Sequence, residues 1–260
     1  MKEIRLSHLK QIIKRALKRI YYRGNKYVCP ICNSELRTLT PIGRESILYT
    51  ELQIIGAGLR YAGCGVCGST DKERLLFIYL KNLIENSEFT KKIHKVLHVA
   101  PELSIKNLLN SSSNIIYRAG DYFAEGYSYP SDVEHLNIEN TGFNDNSFDL
   151  IVCCHVLEHV NDDQRAINEL FRILNYFGTA ILQVPISMII NDTIEIEDKR
   201  SSLLNLHLYG QEDHLRLYGR DYFEKLKNAG FEVEFVNVSN DVNYGLNKHE
   251  FLIIARKNGK

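Results

Sequence analysis

Apolar positions in the first quarter of the chain follow a helical period. Ile4, Leu9, Ile12, Ile13, Ala16, Leu17 and Ile20 fall on one face, with Lys10, Lys14, Arg15, Lys18 and Arg19 largely off it. Residues 71–85 repeat the period through Leu75, Leu76, Ile78, Tyr79, Leu80 and Leu83. From Lys95 onward the pattern changes. Short apolar runs at 95–100, 114–119, 133–138, 148–154, 179–184, 231–238 and 250–255 read as strands, and helical stretches such as 104–109, 163–175 and 220–229 lie between most of them. Strands alternating with helices predict a mostly parallel α/β sheet of Rossmann-like form. The last two runs are joined by Asn240–Lys248 with no helical pattern, which predicts an antiparallel final strand. Residues 186–218 are a long insertion after the fifth strand.

The region between the first helix and residue 71 has short β-prone pieces, Ser46–Tyr49 among them, and little apolar content. Its cysteines supply what a small core cannot. Cys29-Pro-Ile-Cys32 and Cys64-Gly-Val-Cys67 offer four thiolates, the donor set of a structural tetrahedral zinc. A redox dithiol needs one such pair, so the second favours metal. Four protein ligands leave no open position for catalysis. Gly68 suits a tight turn after the second pair. The expected organisation is a basic amphipathic helix over 1–26, a zinc ribbon over 27–70, a connecting helix over 71–94, and an α/β domain over 95–260 with a lid over 186–218.

Charge divides along the same lines. Residues 1–94 hold 17 Lys+Arg against 8 Asp+Glu, whereas the whole chain is neutral. A basic N-terminal unit can meet nucleic acid, anionic headgroups or a phosphorylated substrate, or can dock on its own acidic partner domain. Packing of the first helix on the protein is expected ahead of contact with an anionic membrane. No run spans a bilayer, and the N-terminus lacks the apolar core of a signal peptide, so a cytoplasmic location is expected.

The candidate chemistry starts at the first strand of the α/β domain. Lys95–Ala100 leads into the turn Pro101-Glu102-Leu103-Ser104, where an α/β sheet receives a nucleotide. Asp121, about 20 positions on, is spaced to take ribose hydroxyls. The segment Asn144–Val160, reading NDNSFDLIVCCHVLEHV, resembles the fourth-strand motif of class I S-adenosylmethionine-dependent methyltransferases. Ala166–Gly178 resembles their helix and turn into strand five. The chain departs from that family at the first motif, where Ala100, Glu102 and Ser104 stand in place of a Gly-x-Gly-x-Gly loop. Val96–Glu102, reading VLHVAPE, with Cys64–Ser69, Gln183–Ile186 and Asp213–Gly219, resembles a bacterial methyltransferase subgroup that carries an N-terminal four-cysteine module.

The resemblance implies S-adenosylmethionine as cofactor. His98, Ala100, Pro101 and Glu102 would line its methionine end, with Glu102 accepting from the ammonium. Tyr122 would contact the adenosine, and Leu136, Asn137 and Ile138 would flank the adenine. Cys154 and His155, at the end of strand four, would face the methyl donor. His155 and His214 are candidate bases, with a structural or cofactor-contacting role the alternative for His155. Glu158 and His159 are expected in a structural helix start. In the insertion, His207, Asp213, His214 and Arg216 would bind an anionic or hydroxylated acceptor. The expected reaction is O-methylation of a sugar, glycan or other small molecule, with a role in bacterial surface-polysaccharide synthesis implied by the resemblance alone. An RNA methyltransferase, as among zinc-bearing ribosomal RNA guanine methyltransferases, and a non-catalytic binding module of the same fold are the alternatives.

Overall fold

The computed structural model describes residues 2–123, 128–196, 202–238 and 243–259, with side chains from residue 12 onward except those of 202–204 and 207. Among these residues a seven-stranded sheet forms the centre. Its strands are β1 (His94–Val99), β2 (Ile115–Asp121), β3 (Glu134–His135), β4 (Phe148–Cys154), β5 (Leu174–Gln183), β6 (Glu232–Val236) and β7 (Leu252–Arg256). The order across the sheet is β6-β7-β5-β4-β1-β2-β3. β7 runs antiparallel to β5 and β6, and the other neighbours are parallel. This is the predicted α/β sheet with its antiparallel last strand. β3 pairs at only two positions, shorter than the run 133–138 suggests, because it is an edge strand with a partner on one side.

The central strands read as continuous apolar runs because both faces are covered. Val96, Leu150, Val152, Ile181 and Ile254 pack beneath α3 (Asp71–Ile84) and α4 (Leu103–Asn110). Leu97, Ile151, Cys153, Leu182 and Ile253 pack against α5 (Asp163–Ile173) and α7 (Asp221–Asn228). Strand alternation thus divides the core in two. α3, expected as a connector, is one of the covering helices. It opens on Thr70, whose hydroxyl accepts from the Glu73 amide at 3.2 Å, with Asp71 and Glu73 favourably placed in its first turn.

The N-terminal helix α1 (Lys2–Tyr22) forms, but over its described side chains, from residue 12 onward, the apolar side does not pack on the protein. Ile12, Ile13, Leu17, Ile20 and Tyr21 are exposed. Its C-terminal end docks, where Tyr22 seats over Gly65 in the ribbon; a side chain at Gly65 would collide with that ring. In the ribbon, a hairpin of 23–29 with 34–36 carries the first cysteine pair, and strands 40–42 and 60–63 lead to the second. Gly68 holds φ +84°, as the turn requires. Ser46–Tyr49 is not a strand. Ser46 caps helix α2 (Ile47–Glu51), its hydroxyl accepting from the Tyr49 amide, and a local cap overrides β propensity.

The insertion after β5 closes onto the ribbon. Ile186 and Ser187 pair with Ile55 and Ile54 in a short antiparallel ladder. Helix α6 (Ser202–Tyr209) follows, and the Tyr49 hydroxyl donates to the Tyr209 carbonyl at 2.9 Å. Gly210, at φ +76°, lets the chain pass close to the Tyr49 ring. Ribbon, lid and sheet therefore share one seam. No helix among the described residues is long and apolar enough to cross a membrane.

Candidate active site

β1 and β4 lie side by side with their connections leaving in opposite directions, the position where such sheets open a cleft at the strand ends. The backbone there is strained. Ala100 ends β1 at φ +49° and His155 ends β4 at φ +57°, both in the left-handed region that costs a residue with a Cβ about 1–2 kcal/mol. Ala100 thus adopts the conformation a glycine would take without strain, and the turn into α4 is kept.

His98 is fully buried and bridges two groups. Its Nε2 lies 2.9 Å from Glu102 Oε2 and its Nδ1 lies 3.0 Å from the Tyr117 hydroxyl. Burial raises the Glu102 pKa, but the His98 contact outweighs it and holds the carboxyl below its usual range. Glu102 remains partly open to the cleft. Ser104, two residues on, donates to Glu73, tying α4 to α3. Asp121 closes β2, its pKa raised by burial. Tyr122 is exposed, its ring 5.6 Å from that of His135. Leu136 and Ile138 are buried, and Leu136 lies against Gly120, where a Cβ would clash. The Asn137 side-chain carbonyl already accepts from the Glu139 amide at 2.9 Å; it has a second lone pair for another donor.

Two cavities meet at His155. The smaller, about 300 Å³, lies at the ends of β1, β4 and β5 and is lined by Glu102, Cys154, His155, Gln183, Lys72 and Glu250. The larger, about 740 Å³, is walled by the ribbon segment 42–60, the start of α3, residues 155–159 and lid residues 210–214. A Cβ on Gly56 would sit 3.5 Å from both His155 Cε1 and Glu250 Oε1 and 3.6 Å from Lys72 Cδ. The glycine therefore marks where three ionisable side chains converge. Burial pushes the Lys72 amine down and, with Asp71 nearby, the Glu250 carboxyl up to about 7.

Residues 157–159 form a turn rather than the expected helix start, and α5 begins at Asp163 under an Asp162 cap. The turn brings Glu158 inward. It is almost fully buried, with Oε1 3.4 Å from His155 Nδ1. His155 Nε2 is buried with no hydrogen-bond partner among the described residues. Burial lowers the pKa of both His155 and His214, the latter to about 4, so both rings are neutral near pH 7.

Of the lid residues named from sequence, Asp213 and His214 line the large chamber, and the side chain of His207 lies outside the described residues. Arg216 corrects the expectation. Its guanidinium is fully buried and donates to the carbonyls of Leu157, Val160 and Asn161 and to Glu195, so it holds the turn after β4 to the lid and has no donor left for an acceptor. Lys72, Glu250 and Tyr49 were not singled out from sequence. They reach the site from the first turn of α3, the residue before Phe251 and the ribbon. Only the Gly56-Ala57-Gly58 spacing hints that backbone approaches something there.

In the ribbon, the four cysteine sulfurs lie within 4.8 Å of one another, with Cys29–Cys67 and Cys32–Cys64 both at 3.7 Å. Sulfurs ~2.3 Å from a tetrahedral zinc lie about 3.8 Å apart, so the donor set fits that ion.

Residues 109–182 match the family model described as a methyltransferase domain. A stretch of 48 residues is 50% identical to an uncharacterized protein of Methanocaldococcus jannaschii, covering 18% of this chain and 21% of that protein, so about a fifth of the relative's length is spanned. The YcgJ protein from Bacillus subtilis aligns at TM-score 0.45 and 15% identity, over 70% of this chain and 97% of that one. A SAM-dependent methyltransferase from Archaeoglobus fulgidus aligns at TM-score 0.40 and 17% identity, over 70% and 99%. Both scores fall below 0.5, and the strand order carries the fold by itself.

Proposed function

From a chain with a methyltransferase-domain segment set in a seven-stranded sheet of class I order, we propose that it is an S-adenosylmethionine-dependent methyltransferase acting on a hydroxyl of a sugar, glycan or other small molecule. One observation carries the reading: the cavity at the strand ends and the large chamber share His155. A donor in the first and an acceptor in the second would meet at that residue.

The cofactor supplies an electrophilic methyl group. The protein's task is to align acceptor oxygen, methyl carbon and leaving sulfur. Glu102, Cys154 and His155, which line the small cavity, would hold the donor together with Ala100, Pro101 and Asp121 at the adjoining strand ends, the Glu102 carboxylate facing its ammonium. When bound, the cofactor would supply its methyl carbon to an acceptor oxygen, the C–S electron pair staying with sulfur. The hydroxyl proton goes to His155 Nε2, with Glu158 behind Nδ1 orienting the ring. The chamber lining of Arg44, Thr70, Gln211, Glu212 and Asp213 suits an acceptor rich in hydroxyls. Four thiolates would hold zinc in the ribbon, which forms one chamber wall. A part in surface-polysaccharide synthesis and a cytoplasmic location belong to this reading.

Calorimetric titration with S-adenosylmethionine tests the donor half. Binding is expected in the wild type and a loss of at least about tenfold in Glu102→Ala, the scale of one charge-assisted hydrogen bond. No binding by a folded wild type would favour the non-catalytic alternative. Tritiated methyl transfer to nucleotide sugars, glycans and RNA tests the acceptor. The exposed basic side chains of α1, Lys14, Arg15 and Arg19, favour RNA as the second reading, and a steep fall of RNA binding with salt would support it.

A further inference from the structure

The turn after β4 and the tip of the lid bring together a set of groups of which the methyl-transfer chemistry above uses only Glu158, through its Oε1 beside His155. Glu158, His159 and His214 each offer a ligand atom, and these atoms lie within 4.8 Å of one another. We propose that they form a second metal site, a two-histidine, one-carboxylate centre for a divalent first-row transition ion, on the wall of the acceptor chamber.

Three observations support it independently. First, Glu158 and His214 are 1% and 2% exposed, yet His214 Nδ1 and both Glu158 oxygens lack a hydrogen-bond partner among the described residues, with His155 Nδ1 standing 3.4 Å from Oε1 and Oε2 left facing the other two ligands. A buried carboxylate facing lone pairs needs a cation between them. Second, His159 Nδ1 contacts the Asp213 carbonyl at 3.0 Å, with Asp213 Oδ2 at 3.4 Å. A metal-bound histidine is held in this way through its other ring nitrogen, which leaves Nε2 for the ion. Third, the trio borders the large chamber. Three protein ligands with space beyond them are the pattern of an exchangeable site, unlike the closed four-cysteine set. Ligand atoms ~2.1 Å from a tetrahedral ion lie about 3.4 Å apart, within a side-chain rotation of the observed set. The donor types suit Zn²⁺, Co²⁺ or Fe²⁺ over Mg²⁺.

An acceptor oxygen entering the chamber would replace a water on the ion and lose its proton more readily. That role rests on the methyl-transfer reading, whereas metal occupancy does not.

The full-length protein loaded with Co²⁺ tests the proposal without turnover. Wild type is expected to hold two ions per chain by elemental analysis. One gives thiolate-to-cobalt charge-transfer absorption from the four cysteines, and the other gives only ligand-field bands. Glu158→Gln and His214→Ala are each expected to hold one ion and keep the charge-transfer band, which reports that the ribbon is folded. If either variant loses that band, His159→Ala provides the same test. One ion in the wild type, or two in the variants, overturns the site. Calorimetric cofactor binding in the same samples reports separately on the methyl-transfer reading.

Discussion

Glu250 sits where burial works against its charge. Its carboxyl titrates near 7, raised by desolvation and by Asp71 from an ordinary value of 4.5. The folded protein therefore keeps a proton that the unfolded chain has released, and stability falls as pH rises from about 4.5 to 7. The full effect is roughly 3 kcal/mol. Glu250→Gln, which cannot ionise, should flatten this decline in chemical denaturation measured across that range. An unchanged pH slope would show that Glu250 is not held in this way. The same scale shows why some site residues were legible and others were not. Asp121 and the Ala100 turn follow from spacing after a strand. Glu250 has no such marker, because its state is set by Lys72, Gly56 and Asp71, which lie far away in the chain.

Among the elements, α3 joins the ribbon to the sheet through Arg74. This side chain is 1% exposed and donates to four carbonyls, those of Ser69, Ala62, Tyr244 and Gly245. It thereby clamps the second cysteine pair and the loop before β7 to one helix. Arg74→Met keeps most of the volume but strands these acceptors. It should cost about 3 kcal/mol or more, read as a lower urea midpoint with circular dichroism of the native state preserved. A wild-type midpoint would remove the clamp. The apolar face of α3 was readable from its period, and its role as a sheet-covering helix was not. Period shows that a face must be buried, but not what covers it. α1 makes the point from the other side: its face is equally regular, yet Ile12, Ile13, Leu17 and Ile20 stay uncovered.

Across the whole molecule, the large chamber is a joint product of ribbon, α3, the β4 turn and lid, whereas the smaller cavity is built from the strand ends and α3. Metal in the ribbon should matter to one more than the other. Cys64→Ser combined with Cys67→Ser is expected to open residues 30–63 to limited proteolysis while the sheet stays resistant and cofactor affinity stays at the wild-type value. Equal protection of both regions would contradict a metal-held ribbon. The sequence by itself determined the sheet, its antiparallel last strand and the cysteine set, and it placed the turns that end β1 and β4. These depend on local periodicity and on spacings within a few dozen residues, which the chain carries in one dimension. Only the tertiary structure decided that Arg216 is a buried brace, that Glu158 turns inward beside His155 and His214, and that Gly56, Lys72 and Glu250 share a wall. Those outcomes depend on which distant surfaces meet when the lid closes onto the ribbon, and no local pattern records that meeting.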